Sequence, residues 1–291
     1  MSPGTPPVSI GLRRRRAITA GLLLGMSLGA LEATVVGTAM PTVIATLGGL
    51  AHYSWVFAAY LLTSTASVPI WGRLSDLYGR RRMYLAGIFV FIAGSALSGA
   101  ATTMTELIVF RAIQGLGAGA VIPLSMTIVG ELYALEERAR AQALFSGVWG
   151  LASNAGPLVG GYITDALSWR WVFYLNLPFG LFATVVIALA YPPTARTTAA
   201  RVDWAGAALL FGGVTALLIA LGGATEAVGT WLAAAAMLLS FFVLVERRAA
   251  DPILPLDLFR HAIVSRSLVV VFMTGMAMFG AIAFVPLFVQ G

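Results

Sequence analysis

The sequence lacks cysteine and lysine, and it contains only two histidines. Without cysteine the chain can form neither a disulfide framework nor a thiolate metal site. His52 and His261 fall at predicted helix ends or loops, so we expect no metal site and no bound cofactor. No nucleophile and base pair is evident either, and we therefore predict that the protein is not an enzyme.

Charge is scarce and apolar residues are abundant. Charged residues account for 10% of the chain, hydrophobic residues for 59%, and the mean hydropathy is +0.90. This balance lies outside that of a soluble globular domain. About nine apolar windows are long enough to cross a hydrocarbon core of about 30 Å, and none alternates as a barrel strand does. The sequence therefore predicts an all-α, polytopic membrane protein.

Short polar segments separate the predicted spans. A tail at 1–16 precedes the first span, a linker at 192–203 follows the sixth, and a loop at 247–266 follows the eighth. The spans themselves are predicted at 17–41, 53–72, 83–101, 105–131, 140–163, 171–191, 204–222, 229–246 and 267–290.

The basic residues are distributed asymmetrically. A formal charge of +6 could indicate a nucleic-acid partner, but all 18 basic residues are arginines, nearly all of them between spans. Alternation from a cytoplasmic N-terminus leaves only Arg170 outside and Arg111 within a span. Because this follows the positive-inside rule, we predict a multi-pass membrane protein with a cytoplasmic N-terminus, and no nucleic-acid partner.

A glycine- and arginine-rich segment at 72–82 joins the second and third spans. Its two glycines permit a tight reversal, and its arginines anchor the third helix at the anionic leaflet. We expect the single acid, Asp76, to pair with Arg80 or Arg138. The residues of this predicted loop and its neighbour are Gly72, Asp76, Gly79, Arg80, Arg81 and Arg138.

The fourth span contains Arg111 and Gln114, which lie three residues apart and so share a helix face. An arginine in hydrocarbon costs from about 3 to over 10 kcal/mol unless it is paired or hydrated, so we expect it to face the bundle interior. The alternative is a structural arginine that caps backbone carbonyls. A rise of about 1.5 Å per residue puts Glu32, Arg111 and Asn154 at similar depths. We hypothesise that these side chains converge.

The stretch at 147–161 has small residues where most spans carry bulk. Ala152, Gly156 and Gly160 recur every four residues and form one stripe. Pro157 removes an intrahelical hydrogen bond and introduces a kink or swivel point. A second stripe beside the first consists of Gly150, Ser153, Pro157 and Gly161. A tight helix-packing face without further function is the alternative interpretation.

Several of these strings resemble motifs of the major facilitator superfamily. The segment 72–82 is similar to its signature loop, and Arg-x-x-Gln-Gly-x-Gly from Arg111 is similar to its fourth-helix motif. Gly-Pro-x-x-Gly-Gly from Gly156 resembles the antiporter motif of its drug:proton exporters. The string 31–41 resembles the first-helix motif of the fourteen-helix exporters, with Glu32 where that pattern has Asp.

Two further features support the resemblance. The string 169–178 is similar to the start of the family's sixth helix, and its tryptophans are ordinary interface residues. The fourteen-helix exporters differ from the twelve-helix ones by an additional helix pair, and the predicted spans at 204–246 resemble that pair. The resemblance implies an N-terminal six-helix bundle at 17–191, the inserted pair, and the incomplete first helix of a second bundle at 267–291.

The implied function is proton-coupled antiport that exports lipophilic, cationic drugs or small metabolites across the plasma membrane. The proton gradient replaces a cofactor, and Glu32 is the proton-carrying and cation-sensing carboxylate, with Arg111, Gln114 and Asn154 in the same site. Asp76 and Arg80 belong to the conformational switch. The expected partners are a small-molecule substrate, protons, the lipid bilayer and a missing C-terminal half.

An odd number of spans places the C-terminus outside, as expected of a chain that is cut short. Two other classes of function therefore remain open. The protein could be a truncated or half transporter without autonomous transport. It could also be a membrane-embedded regulatory or assembly protein that keeps the fold without moving substrate.

Overall fold

The computed structural model describes residues 11–193, 203–221 and 227–290, with only the backbone of 278–290. Within these ranges all regular structure is helical. The helices are α1 (Leu12–Leu47), α2 (Tyr53–Tyr78), α3 (Arg80–Ala100), α4 (Met104–Leu132), α5 (Leu135–Ala166), α6 (Arg170–Tyr174), α7 (Asn176–Ala190), α8 (Trp204–Leu221), α9 (Val228–Glu246) and α10 (Ala262–Gln290). Helices α6 and α7 together make one span, Arg170–Ala190.

By length and composition, six elements of the described chain could cross a membrane. They are α1, α3, α4, the α6–α7 unit, α8 and α9. Helices α2 and α5 are less apolar, although their 26 and 32 residues exceed the length that a span requires. Both are rich in serine, threonine and glycine, and both pack within the bundle. In α10, the part whose side chains are described is the apolar stretch Ala262–Ala277.

The first six spans pack around a shared interior. Helix α4 packs against α2 and α3, α1 packs against α5 and α7, and α3 closes the bundle against α7. One apolar cluster contains Ile18 of α1 and Ile128 of α4 and lies toward the N-terminal end of α1 and the C-terminal end of α4. A second contains Val35 of α1 and Leu107 of α4 and lies toward the opposite ends. The polar residues of α1 and α4 lie in the layer between them.

The backbones of α3 and α4 approach one another closely. A Cβ atom on Gly117 would overlap the backbone of Phe91, and one on Gly94 would overlap the backbone of Gln114. Only glycine fits such contacts, because the neighbouring atoms belong to the main chain. This close approach, typical of small-residue interfaces in membranes, brings Gln114 against α3.

Several boundaries differ from the sequence expectation. Helix α1 begins at Leu12, so the arginines at 13–16 form its first turns instead of a separate tail. Helix α2 continues to Tyr78, which places Gly72 inside it. Gly79, with φ +93°, is then the single residue at which the chain turns from α2 into α3. Helix α10 begins at Ala262, which shortens the predicted loop to 247–261. Residues 194–202 of the predicted linker lie outside the described residues.

The inserted pair α8–α9 packs against α2. Ile70 of α2 contributes to an apolar cluster that contains Leu210 of α8 and Phe242 of α9. Beside it, Arg73 forms an ion pair with Asp251 at 3.4 Å. The helix pair α8–α9 is thus held at the end of the bundle where the segment 72–82, called the signature segment below, joins α2 to α3.

Candidate functional site

Glu32 and Arg111 form a buried ion pair between α1 and α4. Their side chains are only 1% and 2% exposed, and Arg111 Nη1 donates a hydrogen bond to Glu32 Oε1. The same nitrogen donates to Gln114 Oε1 at 2.8 Å, and Arg111 Nε donates to the carbonyl of Val56 at 3.2 Å. A buried pair persists where such additional hydrogen bonds offset part of the desolvation cost.

Aromatic rings flank the guanidinium of Arg111. Its Cζ lies 4.3 Å from the ring centroid of Tyr60 on α2 and 5.9 Å from that of Phe173 on α6. The negative face of an aromatic ring attracts a cation within about 6 Å. These rings therefore stabilise the arginine without adding charge to the site.

Two amide side chains surround the other oxygen of Glu32. Gln114 Nε2 donates to Glu32 Oε2 at 2.9 Å, and Asn176 Nδ2 donates to the same oxygen at 2.8 Å. Both amides also donate to Ser95 Oγ on α3, at 3.2 Å and 3.0 Å. Four spans thus contribute a side chain to one polar network in the bundle interior.

The sequence analysis did not include Asn176 and Ser95 in the site. Asn176 belongs to the string 169–178, which was interpreted only as an interface segment and a mark of the family. A buried polar residue in a span is a candidate functional residue by itself, so the asparagine within that apolar stretch was the available signal. Ser95 offered none, because serine is common on helix-packing faces.

Asn154 does not join the network. It is exposed on α5, and its Nδ2 donates to the carbonyl of Gly150 in the same helix at 2.8 Å. The expected convergence with Glu32 is therefore corrected for this residue. Depth along a helix does not determine rotation about its axis: Ala152 faces α1, and a position two residues later points about 200° away.

The two small-residue stripes of α5 have different surroundings. Gly156 and Gly160 are buried against Thr34 and Thr38 of α1, and Thr34 Oγ1 donates to the carbonyl of Ala152 at 3.2 Å. In the second stripe, Gly150 and Pro157 are exposed, Gly161 is half-buried, and a Cβ atom on Gly150 or Gly161 would meet nothing within 4 Å. The first stripe thus packs against α1, whereas the second faces away from the bundle core.

A second ionic network lies around the signature segment. Asp76 forms an ion pair with Arg80, one of the two partners expected for it. Arg80 Nη1 also donates to Ser75 Oγ at 2.9 Å, and its Nε donates to Glu131 Oε1 at 3.0 Å. Glu131 lies in the last turn of α4 and so brings that helix into the network.

Further hydrogen bonds surround this second ionic network. Tyr191 Oη donates to Glu131 Oε2 at 3.0 Å, and burial together with the negative charge of Glu131 raises the pKa of the Tyr191 hydroxyl. Arg81 donates to the carbonyl of Ala188 at the end of α7. Arg138 donates to the carbonyls of Gly130 and Tyr133 at 2.6 Å and 3.1 Å, and so completes the C-terminal end of α4.

Metal-ligating side chains do not gather in the described ranges: no group of three or more histidines or acids there could hold an ion. In the bundle interior, Glu32 is instead paired with Arg111. The arrangement can therefore redistribute hydrogen bonds among Glu32, Arg111, Gln114 and Asn176.

A membrane bundle with a buried carboxylate–arginine pair inside it defines a class, namely polytopic membrane proteins with an ionisable interior site. The particular family follows from comparison: the profile of the Major Facilitator Superfamily matches residues 22–291. The chain belongs to this superfamily, whose members are transporters and not enzymes.

Among curated relatives, the chain is 44% identical over 285 residues to the "Multidrug transporter protein MdtP" of Bacillus subtilis (strain 168). It is 39% identical over 281 residues to "Multidrug resistance protein 3" of the same organism. These alignments cover 96% and 94% of this chain but 53% and 55% of the relatives. The chain thus spans about half the length of the curated relatives it matches.

Solved structures show the same fold. The POT family transporter PepTSo aligns with a TM-score of 0.59 at 18% identity, over 88% of this chain and 57% of that one. The human organic anion transporter MFSD10 aligns with a TM-score of 0.53 at 19% identity, over 73% of this chain and 55% of that one. At these identities the likeness concerns the fold alone.

Proposed function

We propose that this protein takes part in proton-coupled export of lipophilic, cationic drugs or small metabolites across the plasma membrane. The observation that carries the proposal is the Glu32–Arg111 pair, a titratable carboxylate held inside the lipid-embedded bundle. Intramembrane carboxylates of this kind mark proton relays and substrate pathways. The names of the two Bacillus relatives, a multidrug transporter and a multidrug resistance protein, support the choice of substrate class.

In the proposed mechanism, ionised Glu32 holds Arg111 and the two amides in the arrangement described above. Uptake of a proton removes the charge that Arg111 balances, so the pair separates and the helices that carry it are free to shift. A cation that enters the site favours the ionised carboxylate, and a proton favours the neutral one. Because proton and substrate compete for one group, movement of one is coupled to exchange of the other.

Two other elements have proposed roles in the conformational change. The Asp76–Arg80–Glu131 network ties α2, α3 and α4 together near the signature segment, so its rearrangement can follow the opening of the cytoplasmic side. The exposed stripe of α5, with Gly150, Pro157 and Gly161, offers a smooth surface against which a second bundle can rock.

A second candidate is a half transporter that needs another polypeptide. The observation that favours it is the exposed stripe of α5, where Gly150 and Pro157 leave a surface open to a second bundle. One bundle forms only one wall of a central pathway. Transport that requires coexpression of a C-terminal six-helix half would therefore identify this second candidate.

The proposal is tested by efflux of a lipophilic cationic dye from vesicles under an imposed pH gradient. We expect wild type, alone or with a C-terminal half, to exchange dye for protons, and Glu32→Gln to lose this coupling because an amide cannot carry the proton. Asp257→Asn is the matched control, since that carboxylate is 88% exposed and far along the chain. Full coupled efflux by Glu32→Gln would refute the assignment of Glu32.

A further inference from the structure

Glu32, Ser95, Gln114 and Asn176 form a closed ring of hydrogen bonds. Each amide nitrogen carries two hydrogens, and in both residues one is donated to Glu32 Oε2 and the other to Ser95 Oγ. Asn176 is 2% exposed and Ser95 is fully buried. Water therefore does not replace these contacts. The charged and titratable groups that face the carboxylate are Arg111 of α4, on its other oxygen, and Tyr60 of α2 beside that arginine, and both are unchanged in the variants compared below.

Ser95 determines which way the two amides face. Its hydroxyl donates its only hydrogen to the carbonyl of Phe173 at 2.8 Å, so the oxygen can only accept from Gln114 and Asn176. Each amide must then present its nitrogen, not its oxygen, to the space it shares with Glu32. The orientation of the amides follows from the network and not from an arbitrary choice between the two ends.

An N–H donor stabilises an ionised carboxylate more than a neutral carboxyl group. We infer that Asn176, oriented by Ser95, is a positioning residue that sets the pH at which Glu32 takes up its proton. This inference rests on the proposed role of Glu32 as proton carrier. It gives the start of α7 a role in coupling, because any movement of α7 away from α1 removes one of the donors that hold the carboxylate in its ionised form.

The test measures protonation of Glu32 directly, by pH-difference infrared spectroscopy of the purified chain in lipid bilayers. The carboxyl band lost in Glu32→Gln identifies the group. In Asn176→Ala we expect the titration midpoint to rise by about one pH unit or more, as for loss of a hydrogen bond to a charged group. Asn176→Asp, which places a second carboxyl group beside Glu32, should raise it further, because two adjacent carboxylates resist ionising together.

Thr184→Ala is the control on the same helix, because its hydroxyl bonds only to the carbonyl of Gly180 in that helix. We expect its midpoint to equal that of wild type. Thermal unfolding establishes that each variant is folded. In a folded variant, loss of a residue that only supports packing would leave the midpoint unchanged.

Equal midpoints in wild type, Asn176→Ala and Asn176→Asp would overturn the inference and leave the proposed function intact. Absence of a Glu32 band at every pH in all variants would overturn it as well, since the amides would then have no titration to control. A separate result would refute the proposed function, namely full coupled efflux by Glu32→Gln in the vesicle assay.

Discussion

At the scale of single residues, the molecule is organised around one buried charge pair and the groups that saturate it. Glu32 Oε1 accepts from Arg111, and Glu32 Oε2 accepts from two amides, so both oxygens are satisfied. Such a site tolerates replacement of both charges better than loss of one. A single truncation leaves an uncompensated ion in the bundle interior.

We therefore predict that Glu32→Ala lowers the free energy of unfolding by about 3 to 5 kcal/mol. The physical reason is that Arg111 remains buried without its counter-ion. The double variant Glu32→Ala/Arg111→Met should regain most of this loss, because no unpaired charge remains. Denaturant unfolding in detergent measures Glu32→Ala, Arg111→Met and the double variant. A double variant whose loss equals the sum of the two single losses would contradict the prediction.

At the scale of elements, helix α5 uses adjacent glycines for different purposes. Gly160 is buried against α1, where a Cβ atom would lie 2.9 Å from the carbonyl oxygen of Val35. Gly161, the next residue, has open space around the same position. The small-residue pattern seen in the sequence is thus a packing face on one side and a free surface on the other.

This pair of glycines provides a matched test of helix packing. We expect Gly160→Ala to destabilise the bundle by about 1 to 3 kcal/mol, because the backbone of α1 cannot yield cheaply to the new methyl group. Gly161→Ala should be neutral or stabilising by up to about 1 kcal/mol, since alanine is the better helix former. Thermal unfolding of both variants measures this difference. Equal losses of stability would show that α1 and α5 do not approach closely.

At the scale of the whole molecule, the distribution of arginine predicts orientation in the membrane. With the N-terminus in the cytoplasm, the turn between α1 and α2 lies outside and the segment after α9 lies inside. The absence of cysteine makes every introduced thiol unique. Single-cysteine labelling can therefore read the topology of this chain without prior removal of native residues.

We predict that Ala51→Cys reacts with a membrane-impermeant maleimide in intact cells, whereas Ala250→Cys reacts only after permeabilisation. Both positions are exposed in the structure, so accessibility to the reagent depends on the side of the membrane and not on burial. The reverse pattern would require an inverted orientation, and labelling of both sites in intact cells would require a different number of spans between them.

Much of the architecture could be read from local patterns. Apolar windows located the helices to within a few residues, because the thickness of the hydrocarbon core dictates their length. Glu32 and Arg111 stood out because ions in lipid are expensive and must find partners. Their depths followed from the fixed rise of the helix, and the pair that the structure shows agrees with that estimate.

The sequence by itself determined which residues share a face and a depth within each helix. Only the tertiary structure decided the rotation of each helix about its own axis, because that depends on which neighbours it packs against. Rotation turned Asn154 away from the network and brought Asn176 and Ser95 into it. The tertiary structure likewise places Glu131, in the last turn of α4, against Arg80. These residues lie 51 positions apart, and no local pattern predicts their contact.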